Sequence, residues 1–280
     1  MKTPVTPATA SVSPAKAGGQ DGRLDSGVRR NDVGEGPPDG AGGRHQGLRR
    51  LLALAVHGYT AAGAVLALLA TLSVMVGDHR SALLWLYAAV VVDATDGWLA
   101  RRVGVCEALP SLDGRRLDDV VDYVTFAFVP ALVLVASGRL PPGWGVGVAG
   151  GMLVASAYGF ARVDAKSDDD FFTGFPSYWN IVAFYLFAFE WPPVVNAALL
   201  VALSGMVFVP VGYVYPSRTR VLRGLTVGAG AIWALVVLVV IVRLPRASDG
   251  LLIGSLLYPA YYVALSMWLQ SRRRRGPLTA

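Results

Sequence analysis

The sequence predicts an all-α polytopic membrane bundle of about eight transmembrane helices. Three observations carry that prediction. The 280 residues are 54% hydrophobic and only 16% charged, with a mean hydropathy of +0.49. That is too apolar and too poor in charge for a water-soluble domain. Long apolar runs recur along the chain, separated by short polar turns. The basic residues fall unevenly on alternate turns, sixteen on one side and four on the other from position 44 onward.

A crossing needs about 20 apolar residues. Each must be helical, because lipid offers no partner to an unpaired backbone group. The runs cover 51–76, 82–99, 120–136, 144–161, 177–189, 193–213, 225–244 and 251–269. The fifth is short, and Glu190-Trp191-Pro192-Pro193 forces a sharp turn into the sixth. Glycines in the fourth, Gly145 to Gly151, suit close helix packing.

Ahead of these runs, residues 1–43 are rich in Gly, Pro, Ala, Ser and Asp. Such a segment buries too little surface to offset ordering entropy and is expected to be a disordered tail. It is either dispensable or a docking arm. One membrane domain is expected over 44–272, followed by a basic C-terminal tail over 273–280.

Arginine and lysine set the expected orientation. With the N-terminus in the cytoplasm, the sixteen cytoplasmic bases include Arg49, Arg50, Arg101, Arg102, Arg115, Arg116, Arg162, Lys166, Arg218, Arg220, Arg223 and Arg272 to Arg275. Arg80, Arg139, Arg243 and Arg246 fall on the other side. Both termini are then cytoplasmic. Bases beside apolar spans point to anionic lipid headgroups, and no nucleic acid is expected. The single cysteine, Cys106, excludes an internal disulfide and a cysteine-only metal site.

The chemistry concentrates in two fragments at the cytoplasmic ends of the second and third runs. Asp93 and Asp96 are three apart, and Asp118 and Asp122 are four apart. On helices each spacing puts the pair on one face. Two consecutive antiparallel spans then converge four carboxylates on one point. Carboxylates near membrane depth are expensive, and their mutual repulsion calls for compensating cations. Mn²⁺ or Mg²⁺, two ions together, suits carboxylate and phosphate oxygens. Gly97, Ala100 and Gly114 leave the helix surfaces beside the carboxylates open to close approach, and Arg101 offers a fork to an anion. Asp113 is placed to cap the third helix.

Written out, the fragments read D-x2-D-G-x2-A-R-x12-G-x3-D-x3-D. This resembles the signature of the CDP-alcohol phosphatidyltransferases, membrane enzymes that move a phosphatidyl or phosphoalcohol group off a CDP carrier. The resemblance covers roughly residues 48–270. It implies that Asp93, Asp96, Asp118 and Asp122 hold the metals, with Gly97, Ala100, Arg101 and Gly114 around the CDP moiety. It also implies that Asp122 is the general base on the acceptor alcohol, and that the protein is a homodimer.

The twelve residues between Arg101 and Gly114 exceed the usual family spacing. That length resembles the bacterial phosphatidylcholine synthase subfamily, which joins CDP-diacylglycerol to choline in the inner membrane with release of CMP. The eight runs and the segment 171–180 resemble it as well. Phe171, Phe172, Phe175, Tyr178 and Trp179, preceded by Asp168, Asp169 and Asp170, form either a choline cage or an interfacial anchor. Other acceptors (serine, inositol or glycerol 3-phosphate) are the alternative within the class. A cation- or proton-coupled transporter is the alternative outside it.

Overall fold

The computed structural model describes residues 40–162, 171–215, 219 and 221–274. Most of the expected N-terminal tail, together with Lys166, Asp168, Asp169, Asp170, Arg218, Arg220 and Arg275, lies outside the described residues.

Helix α1 runs Gly40–Met75 and α2 runs His79–Val103. Asp78 sets the turn between them. Its carboxylate accepts the Ser81 amide at 3.0 Å and the Ser81 hydroxyl at 2.6 Å, satisfying an amide that the first helical turn leaves orphaned. The long gap in the motif is not slack chain. It contains α3 (Val105–Ala108), whose Val105 is buried against Ala53 and Val56 of α1.

Helix α4 (Gly114–Asp122), a π-helical segment (Tyr123–Phe128) and α5 (Val129–Ala136) form one 23-residue apolar helix. Pro130 accounts for the change in winding. It has no N–H, and its ring would meet the carbonyl four residues back in a regular α-helix. The wider turn shifts the ladder by one residue, so the Val129 N–H bonds to the Val124 carbonyl.

Helices α6 (Gly145–Ala161), α7 (Trp179–Phe189) and α8 (Pro193–Met206) pack with α5 around a core of Leu134, Met152, Trp179, Leu186 and Leu200. Helices α9 (Arg223–Arg243), α10 (Asp249–Ser255) and α11 (Leu257–Arg274) complete the chain. Val240 and Ile241 of α9 and Leu252 of α10 join Ala70, Leu83, Leu86, Val133 and Phe184 in a second core. Arg139 donates to Glu190 at 2.6 Å, and the Asn196 side chain donates to the Arg139 carbonyl at 2.9 Å. Those two bonds tie the turn after α5 to the turn between α7 and α8 and to the first turn of α8 itself.

Among the described residues, five segments are long and apolar enough to cross a membrane: His45–Met75, His79–Val103, Gly114–Ala136, Arg223–Arg243 and Asp249–Arg273. The shorter α6, α7 and α8 have 17, 11 and 14 residues. Each expected apolar run therefore contains helix, five of them at crossing length. Large apolar side chains such as Leu68, Val91, Val154, Val201, Ile232 and Leu235 are exposed. An apolar surface of that extent is tolerated in lipid and not in water. The protein is an all-α membrane bundle.

The sixth expected run, 193–213, departs from helix at its end. Helix α8 stops at Met206, ahead of Pro210, which has no amide to donate. The chain then forms strand β2 (Gly212–Val214), antiparallel to β1 (Phe171–Thr173), with Phe172 opposite Tyr213. Gly174 follows β1 at φ +86°, where a Cβ would collide with the Val207 carbonyl. This two-stranded clip folds the aromatic segment back over the ends of α6 and α8.

Candidate active site

Helix α2 supplies Asp93 and Asp96, and α4 supplies Asp118 and Asp122. Asp113 caps α4, accepting the Arg115 and Arg116 amides at 3.1 and 3.2 Å. The cap starts the helix at Gly114 and so fixes where Asp118 and Asp122 emerge. Asp93, Asp118 and Asp122 come together, each offering a carboxylate oxygen within 4.8 Å of the others. All three are half-buried.

Asp96 is not one of the three. It is 7% exposed, and its Oδ2 accepts the Thr60 hydroxyl of α1 at 2.7 Å. One turn from Asp93 on α2, it is anchored by the neighbouring helix.

The carboxylate group opens into a cavity of about 560 Å³. Asp93, Asp118, Asp119 and Asp122 line one part, with Arg115, Arg116 and Arg162 beside them. Phe126, Phe160, Phe172, Phe175, Tyr178 and Tyr215 line another. Phe172 and Tyr215 are held against each other across the β1–β2 clip, ring centroids 4.7 Å apart. Phe175 is braced by Trp179 at 5.0 Å.

The expected aromatic set thus divides. Phe172, Phe175 and Tyr178 reach the cavity. Phe171 is instead buried with Val214, Leu265 and Leu269. Trp179 is fully buried and donates its indole N–H to the Ser156 hydroxyl at 2.6 Å. Phe126, Phe160 and Tyr215 were not foreseen in this role. Phe126 carried a signal, since it lies four residues after Asp122. Phe160 ends an apolar helix, and Tyr215 is brought in by strand pairing; neither carries a local pattern. Asp119 lines the cavity as well, together with Arg115 and Arg116.

The residues expected around CDP are not in the lining of this cavity. Gly97, Ala100 and Arg101 do not line this cavity. Among the described residues, a Cβ on Gly97 would meet the Arg101 guanidinium alone, at 3.4 Å, so among them this face of α2 is open apart from that arginine. Ala100 packs toward Ala53 and Val56. Gly114 faces the His57 ring, where a Cβ would lie 2.9 Å from Cε1. The missing side chain at Gly114 therefore admits His57.

A sequence model of the CDP-alcohol phosphatidyltransferases matches residues 57–210, which contain the whole carboxylate motif. The chain belongs to the CDP-alcohol phosphatidyltransferase family. Its curated relatives agree in kind. A phosphatidylcholine synthase of Pseudomonas aeruginosa is 35% identical over 82% of this chain and 96% of its own length. One of Bradyrhizobium diazoefficiens is 45% identical over 66% of this chain and 69% of its own length. One of Legionella pneumophila is 38% identical over 76% and 86%.

The phosphatidyltransferase family is divalent-metal dependent, and the grouped side chains suit such an ion. The donors are carboxylate oxygens only, close enough together to share one ion, with no thiolate or imidazole among the three. Hard cations such as Mg²⁺ and Mn²⁺ fit that donor set.

Proposed function

We propose that this phosphatidyltransferase makes phosphatidylcholine, transferring the phosphatidyl group of CDP-diacylglycerol to choline with release of CMP. One observation carries the reading: a single cavity is lined by the Asp93, Asp118 and Asp122 carboxylates and by an aromatic wall of Phe126, Phe172, Phe175, Tyr178 and Tyr215. Aromatic faces attract quaternary ammonium, each for about 0.5–2 kcal/mol. The names borne by the relatives point the same way.

Asp93, Asp118 and Asp122, with Asp96 behind them, would hold Mn²⁺ or Mg²⁺. Such an ion, when bound, neutralises pyrophosphate charge and eases the departure of CMP. The chain's own groups do the rest. The aromatic wall seats the trimethylammonium end of choline, which leaves the hydroxyl end toward the carboxylates. Asp122 takes the hydroxyl proton. The choline oxygen bonds to the lipid-side phosphorus, and the bond from that phosphorus to the CMP oxygen breaks. Holding donor and acceptor in one cavity supplies the orientation that this displacement needs. Arg101, beside the open face at Gly97, is available to phosphate oxygens of the nucleotide.

The site belongs, in this reading, at the cytoplasmic face of a bacterial inner membrane, in a homodimer with both termini cytoplasmic. The arginine asymmetry supports the orientation. The deciding assay offers CDP-diacylglycerol and Mn²⁺ to the purified protein, with choline, serine, inositol or glycerol 3-phosphate as sole acceptor. CMP release with choline alone is the expected result. Release with another acceptor and not with choline would overturn the choline assignment and leave the transferase chemistry standing.

A further inference from the structure

Helix α1 carries none of the motif carboxylates, yet it touches both helices that do. Three of its residues, His57, Thr60 and Gly63, recur at a spacing of three and so share one side of the helix. Thr60 donates to Asp96 Oδ2 of α2 at 2.7 Å, with both residues 7% exposed. His57 lies against the Cα of Gly114, the first residue of α4. Gly63 meets Val121, so that a Cβ at 63 would lie 2.5 Å from Val121 Cγ1. Tyr59 adds a second α1–α2 contact, its hydroxyl 2.9 Å from Thr95 Oγ1.

The Thr60 hydroxyl has one proton and two acceptors in reach. The Val56 carbonyl is at 3.4 Å and the Asp96 carboxylate at 2.7 Å. The shorter, charge-assisted bond takes the proton. A buried carboxylate is costly without a donor, so this bond decides where the Asp96 side chain rests. The other α1 contacts decide where α2 stands against α4.

We propose that Thr60 is a positioning residue of the active site: it fixes Asp96, and through α1 it sets the spacing between the two halves of the carboxylate motif. This rests on Asp96 being a site carboxylate, as the proposed function has it. Partners that orient metal-binding side chains are worth about 10–100-fold in metal affinity or activity when removed.

The test uses full-length protein in detergent and reads Mn²⁺ binding by the electron paramagnetic resonance of the unbound ion, beside CMP release. Thr60→Val keeps the shape and removes the donor. It should weaken Mn²⁺ binding about tenfold or more and lower the metal-free thermal midpoint modestly, because the buried Asp96 carboxylate loses this donor. Thr60→Ser restores the hydroxyl and should restore binding. Adding Thr60→Val to Asp96→Asn should cost nothing further. Wild-type Mn²⁺ affinity in Thr60→Val, or full additivity in the double variant, would overturn the role of Thr60 alone. Unchanged Mn²⁺ affinity in Asp96→Asn would overturn the underlying assignment of Asp96.

Discussion

Asp122 shares its space with two other carboxylates and is assigned the proton of the acceptor. Asp122→Asn keeps the size and loses the basicity. CMP release should fall by about 10²–10⁴-fold, measured at saturating Mn²⁺ in protein whose thermal midpoint is unchanged. Phe172 is the cleanest probe of the aromatic wall, because it pairs with Tyr215 and is only half-buried. Phe172→Ala should raise the choline KM by about 2–30-fold and leave the KM for CDP-diacylglycerol unchanged. An equal rise in both would assign the ring to structure. The meeting of Asp93, Asp118 and Asp122 was legible in the sequence because a helix converts such spacings into a shared face, whereas Asp96 was expected among them and stands apart. What held Asp96 was not legible, since Thr60 lies 36 positions earlier with no local pattern linking the two. The aromatic segment showed its composition but not its division. Strand pairing and core packing, both long-range, decided that Phe172 faces the cavity and Phe171 the core.

At the scale of the element, two helix contacts invite measurement. Gly63→Val places a side chain where Val121 already stands. Overpacking of that kind costs about 1–3 kcal/mol, so a lower unfolding midpoint in detergent is expected, together with weaker Mn²⁺ binding as α1 is pushed from α4. Asp78 caps α2, and the Ser81 hydroxyl and amide hold its carboxyl below the usual carboxylate range. A folded-state pKa below the unfolded one stabilises the fold above the unfolded value. That stabilisation is lost as pH falls through the folded value. Asp78→Ala should therefore lower the thermal midpoint at neutral pH, and the difference should close in acid. Apolar runs and the Asp113 cap were visible in advance, being matters of local composition and spacing. The one-turn α3 and the β1–β2 clip were not. Each is only three or four residues long, and tertiary contacts hold both.

The whole molecule turns on which way it lies in the bilayer. Its single cysteine makes the question direct. Cys106 is exposed, on α3 between the two halves of the motif. A membrane-impermeant maleimide should label it in inverted membrane vesicles and leave it unlabelled in intact spheroplasts. The opposite pattern would reverse the orientation and remove the cytoplasmic setting of the site. The bundle was legible as a whole because composition alone separates a lipid-facing chain from a water-facing one. The lengths of individual helices were not, since short α7 and α8 are bounded by Glu190, the paired prolines and Pro210 and not by hydropathy.

The π-helical stretch from Tyr123 to Phe128 adds a constraint on length. A wide turn of this kind is an α-helix carrying one surplus residue. Deleting a single position there would remove the surplus and press Pro130 into a regular α-helical ladder, where its ring meets the carbonyl four residues back. The strain would fall in the turns that directly follow Asp122, although every motif carboxylate remained in the sequence. Substitutions in this stretch are a matter of packing, whereas a change of one residue in its length is a change of winding.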